Sequence, residues 1–189
     1  MKIKGHNFII PVIFLSFGVS CVYSEMTHMS NDELRWLQSY EKGDTIFFHS
    51  NKGNVDTLII TNVNENNSMS PFVRNEASFQ YVANGSYEYQ LYHNGNIFEG
   101  ILLLVEKRIE DKPVVVSFSL GGLYSDPITS ITTNVLVNGE YLDDCIIIDN
   151  TNSHKGKFQK NLDIIEIIWS KTKGILRYET NEERYFLVP

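Results

Sequence analysis

Imidazoles, thiols and neighbouring carboxylates are the side chains in this sequence that could do chemistry. Beyond the first twenty residues the histidines are His28, His49, His93 and His154. None stands at H-x-H or H-E-x-x-H spacing, and a zinc site needs three or four ligands. They read as surface histidines, with His93 just before a turn and His154 in a polar loop, so neither a metal nor a cofactor is expected. Acidic neighbours occur at Glu110-Asp111, Asp143-Asp144 and Glu182-Glu183. Adjacent strand residues point to opposite faces, so such neighbours do not share one pocket as the carboxylates of a glycosidase do. The run Ser117-Phe118-Ser119-Leu120-Gly121 lacks the spacing of a nucleophile elbow, and no helix follows it. Cys145 sits in the apolar run 142–148 with no basic neighbour, which is the setting of a core thiol rather than of a reactive one. No catalytic residue is assigned, and the chain reads as a non-enzyme.

Aromatic side chains offer binding instead of catalysis. Tyr81, Tyr87, Tyr89, Tyr92 and Phe98 cluster around two turns, and period two puts Tyr87 and Tyr89 on one strand face with Leu91. Exposed, that face would stack on a sugar or a peptide; buried, it is core. Trp36 has the same two readings, ligand contact or anchor of a helix. Tyr87, Tyr89 and Trp36 are the candidate ligand contacts.

The elements that position these residues are mostly strands. Ser30 and Glu33 form a capping box, in which each side chain satisfies the other's backbone N–H. Leu34, Trp36, Leu37 and Tyr40 follow at helical spacing until Gly43. From there the apolar period is two. Segments 45–49, 55–63, 72–82, 86–92, 97–107, 113–120, 131–137, 141–148, 164–169, 174–178 and 185–188 read as strands. Asn84-Gly85, Asn94-Gly95 and Asn138-Gly139 read as hairpin turns, because both turn positions need positive φ. Residues 150–160 read as a long polar loop. The expected fold is all-β and mainly antiparallel, a curved sheet, partial barrel or sandwich, with one short N-terminal helix.

Charge narrows the partners. The 189 residues carry a formal charge of −7. Without Lys2 and Lys4 of the leader it becomes −9. The densest basic group, Lys155, Lys157 and Lys160, lies in the polar loop. An acidic chain with scattered cations is a poor match for nucleic acid.

The leader has three parts: Lys2 and Lys4, the apolar run 8–17, and the short residues Gly18, Val19 and Ser20 before Cys21. The apolar run is about half the length that spans a bilayer, which takes roughly 20 residues, and Pro11 interrupts it. Gly18-Val19-Ser20-Cys21 looks like the processing box of bacterial lipoproteins, although that pattern usually has Leu where Gly18 stands. Cys21 would then be the first mature residue and carry the lipid. Each buried methylene contributes about 0.8 kcal/mol, so two or three acyl chains hold a protein on a membrane without a protein helix. The expected organisation is a signal peptide over 1–20, a lipidated cysteine and tether over 21–29, and one β-rich domain over 30–189, exported to the cell envelope.

The C-terminal stretch Ile167-Ile168-Trp169-Ser170 and Lys173-Gly174-Ile175-Leu176-Arg177-Tyr178 resembles the ending of small Bacteroidota-type outer-membrane lipoproteins. The segment from Trp36 through Gly43-Asp44-Thr45-Ile46-Phe47-Phe48 resembles their opening. Together they span about an eighth of the chain. The resemblance implies an outer-membrane location and a curved antiparallel body that cups an apolar ligand. From the residues, the ligand class stays open among apolar, sugar and protein. The function expected is a lipid-anchored binding or carrier module, and the alternative is a structural or interaction subunit of an envelope assembly.

Overall fold

A computed structural model describes residues 27–67, 82–128, 135–137, 139–156 and 161–188. The leader, Cys21 and the expected strand over 72–82, all but its last residue, lie outside the described residues. A short helix comes first, α1 (Asn31–Leu34), continued by a 3-10 turn (Arg35–Leu37). Thirteen strands follow: β1 (Thr45–Ser50), β2 (Val55–Asn66), β3 (Ala83–His93), β4 (Asn96–Lys107), β5 (Val115–Leu120), β6 (Leu123–Ser125), β7 (Val135–Val137), β8 (Glu140–Leu142), β9 (Cys145–Asp149), β10 (Ser153–Lys155), β11 (Ile164–Ser170), β12 (Gly174–Thr180) and β13 (Arg184–Leu187).

Eleven of them make one antiparallel sheet in the order β10-β6-β5-β4-β3-β2-β1-β13-β12-β11-β9. Its two edges, β9 and β10, are one stretch of chain joined through residues 150–152, so the sheet curls into a nearly closed barrel. Asn152 makes the corner. Its side-chain oxygen accepts from Asp149 N at 2.8 Å, its amide donates to Ile147 O at 2.9 Å, and its carbonyl accepts from Asp126 N at 2.8 Å. Register shifts at Ile60/Asn62 in β2, Tyr87/Glu88 against β4 and Ile168/Trp169 in β11 mark bulges, which add the local bend a closed sheet needs. The all-β, antiparallel, curved-sheet expectation holds, and the curved sheet is a barrel rather than a sandwich.

Alternation carries one face of every long strand inward. In β3 the buried set is Ala83, Gly85, Tyr87, Tyr89 and Leu91; in β5 it is Val116, Phe118 and Leu120. These meet Phe48, Leu58, Ile60, Trp169, Tyr178 and Tyr185 in one continuous core. Trp169 is fully buried, 5.1 Å ring to ring from Phe118 and 5.8 Å from Tyr40. The β7–β8 hairpin lies on the outside of the barrel, where Val135 and Val137 pack on Cys145, Ile168 and Leu176. Cys145 is fully buried, and burial, then the Asp144 carboxylate, push its thiol up to about 11, as suits a core thiol.

The N-terminal segment plugs one end of the barrel. The capping box forms as expected: Glu33 N donates to Ser30 Oγ at 3.3 Å and Ser30 N to Glu33 Oε2 at 2.9 Å. The helical stripe gives only one α-turn and one 3-10 turn, because Trp36, Leu37 and Tyr40 must all enter the barrel mouth within a few residues. Lys107 reaches Glu33 at 2.7 Å and Lys171 reaches Asp32 at 2.9 Å, with Lys171 also 5.6 Å over the Trp36 ring. Burial pushes the Glu33 carboxyl up, but Lys107 and the Ser30 amide and hydroxyl outweigh it and hold it below the ordinary range. Thr27 and Met29, expected in the tether, are buried in this plug: Thr27 Oγ1 accepts from Ala83 N at 2.9 Å, and Met29 joins the core.

Three local readings differ. Asn94-Gly95 is a turn with both φ values positive, 47° and 72°, and Gly139, at φ 85°, lies between β7 and β8. Asn84-Gly85, however, lies inside β3. Glycine is needed there because a Cβ would stand 2.1 Å from Leu37 Cδ1, so this glycine makes room for the plug rather than a turn. The run read as one strand over 141–148 is β8 and β9, broken at Asp143-Asp144; the Asp144 carboxylate takes hydrogen bonds from Ser170 Oγ, Thr172 N and Thr172 Oγ1. The polar loop 150–160 contains β10, whose three residues pair with β6.

Gly85→Ala should therefore cost about 1–3 kcal/mol by overpacking, and markedly less in a Leu37→Ala background. Urea denaturation of the four-member cycle measures the coupling; a cost that is the same in both backgrounds would show that the plug does not set the glycine.

Candidate functional site

β3 runs the length of the barrel, from Ala83 beside the plug to His93 at the other end. That other end is open. Three pieces of chain rim it: the β3–β4 turn, residues 161–163 ahead of β11, and the β12–β13 turn over 181–183. They enclose a cleft of about 330 Å³. Its wall carries the amides of Asn94, Asn96, Asn161 and Asn181, the hydroxyl of Thr180 and the carboxylates of Asp163, Glu182 and Glu183; Phe98 and Leu162 supply its apolar surface, and the fully buried Tyr185 lies beneath.

Below the rim lies a buried carboxylate. Asp56 is on the same strand face as Leu58 and Ile60 and is fully buried. Antiparallel pairing brings it opposite the end of β3, one step on from the Thr57–Tyr92 pair. His93 Nδ1 lies 2.8 and 3.0 Å from the two Asp56 oxygens, and the Tyr178 hydroxyl donates to Asp56 Oδ2. Tyr178 from β12 stacks on Tyr185 from β13 at 4.7 Å and 6°, and the Tyr185 ring packs edge-on against His93 at 5.7 Å. Burial, then the Asp56 charge, push the phenols of Tyr178 and Tyr185 up, so both stay protonated and able to donate. An ionised carboxylate only accepts, so His93 Nδ1 carries its proton toward Asp56. Nε2 then faces Asn94 Nδ2 at 3.0 Å, a neighbour that suits an acceptor nitrogen. The rim is built to stay in place. Asn54 Nδ2 donates to both Glu183 oxygens at 2.8 and 2.9 Å, Thr180 Oγ1 accepts from the Glu182 and Glu183 amides, and Lys155 pairs with Asp163 at 2.7 Å. Ser50 and Asn54 hold the Glu183 carboxyl below the ordinary range.

This arrangement can accept hydrogen bonds in many directions and can donate through its amides. His93 is thus no ordinary surface histidine: only 16% of its side chain is exposed. One signal in the sequence pointed here. Alternation in Val55-Asp56-Thr57-Leu58-Ile59-Ile60 places an aspartate in phase with Leu58 and Ile60, on the face that must be buried.

The three candidate ligand contacts are elsewhere. Trp36, Tyr87 and Tyr89 are 4%, 0% and 3% exposed and belong to the core. Their polar ends are committed inside the barrel. Tyr87 OH accepts from Ser39 N at 3.1 Å and Tyr40 N at 3.4 Å, and Tyr89 OH accepts from Gly121 N at 2.9 Å. Burial pushes both phenols up to about 12. Trp36 meets Phe118 edge-on at 6.3 Å and anchors the plug. The core alternative is the one the structure realises for all three. Cys21 lies outside the described residues. Among the described residues no group of three or more His, Cys, Asp or Glu side chains could hold a metal ion.

A second hollow, about 420 Å³, lies on the outer face of β4, β5, β6 and β10. Tyr124 and His154 stack across it at 5.9 Å, beside Ile101 and Leu104. Comparison with protein-family models, with curated proteins and with solved structures gives no match to this chain.

Asp56→Ala should lower the unfolding free energy by about 2–6 kcal/mol, because two donors lose a buried acceptor at about 1–3 kcal/mol each. Tyr178→Phe should cost less, because one donor leaves with its own hydrogen bond. Guanidinium denaturation gives the order; a negligible effect of Asp56→Ala would mean that the carboxylate is hydrated.

Proposed function

We propose that this chain is an exported, lipid-anchored cell-envelope protein, held at the outer membrane through Cys21, that works by binding rather than by catalysis, with the open end of its barrel as the recognition surface. The observation that carries the reading is the polar cleft at the end opposite the plug. The mature N-terminus leads into the plug at Thr27. β3 spans its 11 residues from there to His93, about 35 Å at roughly 3.3 Å per residue. A tether on Cys21 therefore leaves the cleft facing away from the bilayer. The lipoprotein resemblance suggested an apolar ligand inside the curve. The space it would need is taken by Trp169, Tyr87, Phe118 and their neighbours, so a polar ligand at the rim is the better-supported cargo. The acidic charge supports no role with nucleic acid.

Cys21→Ala should move the protein from the membrane fraction to the soluble fraction, or leave it with an uncleaved leader of higher mass. If the variant matures and sediments with membranes as wild type does, the lipid anchor is wrong.

One observation favours the alternative, an interaction subunit. Phe47, Thr57, Tyr92 and Ile97 pair directly across β1, β2, β3 and β4, so they share one row on the outer face. Phe47, Tyr92 and Ile97 are 47%, 38% and 55% exposed, and apolar rows left on a surface mark contact sites. Under this reading the protein solubilised from its membrane migrates as an assembly, and Phe47→Ser with Tyr92→Ser returns it to a monomer. A wild-type chain that already migrates as a monomer discards it.

A further inference from the structure

His93 stands where the open-end cleft meets the core. With Nδ1 held 2.8 Å from buried Asp56, the ring nitrogen left for a ligand is Nε2. Its neighbour is the side-chain amide of Asn94, an exposed turn residue that can yield to a ligand. Around it the rim offers mainly further acceptors, the carboxylates of Asp163, Glu182 and Glu183, and neither lysine nor arginine lines the cleft among the described residues. An anion placed there meets like charge. An apolar ligand strips water from carboxylates without replacing its hydrogen bonds, which is costly. A neutral molecule with many hydroxyls brings donors to the acceptors, takes donation from the asparagine amides, and sets its C–H face against Phe98 and Leu162.

We propose that the open-end cleft binds a neutral saccharide and that His93 Nε2 accepts a hydrogen bond from one of its hydroxyls, with Asp56 as the positioning residue that fixes the imidazole tautomer. The inference rests on the open end being the binding surface. It adds the ligand class.

The test is isothermal titration of the processed protein, in detergent micelles, with glucose, galactose, mannose, N-acetylglucosamine and their β-linked disaccharides, and with spermidine and inorganic phosphate as cationic and anionic probes. The expected result is that at least one saccharide binds and that His93→Phe weakens it about tenfold, the worth of one hydrogen bond, while His93→Gln, which keeps an acceptor, retains it. Asn181→Trp, an exposed rim residue, blocks the cleft and abolishes binding. Circular dichroism shows that each variant is folded. Saccharide binding that Asn181→Trp abolishes but that ignores His93→Phe overturns the inference and leaves the open end as the binding surface. Binding of spermidine or phosphate in place of every saccharide does the same. Binding that also ignores Asn181→Trp overturns both, and a panel in which no saccharide binds overturns the inference.

Discussion

The structure depends on filling a barrel with aromatic rings whose phenol hydroxyls also find partners. A nearly closed sheet of this size encloses a space that side chains must occupy or leave for a ligand. Here Trp169, Tyr40, Tyr87, Phe118 and Phe48 occupy it, ring against ring. Their hydroxyls then serve backbone groups that no strand can serve. Tyr87 takes the amides of Ser39 and Tyr40, Tyr89 that of Gly121, and Tyr40 that of Ile175 at 2.7 Å. The same side chains supply burial and solve the hydrogen bonding of the turns that close the barrel.

The two ends follow from that interior. At one end the chain has spent its apolar residues on a plug, and Lys107 and Lys171 clamp it through the first-turn carboxylates of the short helix. At the other end the core stops at Tyr178, Tyr185 and Asp56, and polar turns take over. A buried carboxylate is tolerated at that boundary because a histidine and a tyrosine both donate to it. The consequence is a molecule with one end sealed by its N-terminal segment and a chemically organised end opposite.

Much of this architecture was legible in the sequence. The alternation of the longer strands, the capping box and the Asn94-Gly95 turn all rest on local rules, and they appear where those rules place them. What failed locally was decided by distant residues. Asn84-Gly85 carries the same turn signal as Asn94-Gly95, yet Leu37, far away in sequence, claims the space beside Gly85. β10 is hidden in a polar loop because an edge partner, β6, rather than hydrophobicity, makes it a strand. Tyr87 and Tyr89 share a face as expected, but whether that face was ligand platform or core depended on closure of the sheet. The Asp56–His93 pair joins strands whose register no local signal states, although the phase of Asp56 with Leu58 and Ile60 marked a buried charge in need of a partner.

The most direct test of this account is whether the barrel interior is a packed core. Fluorescence titration of the folded Trp36→Phe protein with 1-aminoanthracene, a neutral apolar probe that fits hollow β-barrels, decides it, with emission of the remaining buried tryptophan, Trp169, followed in parallel. A filled interior predicts no saturable site and no change in tryptophan emission. A stoichiometric site that quenches Trp169, and that is lost when the neighbouring Phe118 is replaced by tryptophan, would contradict it and return the protein to the class of apolar carriers.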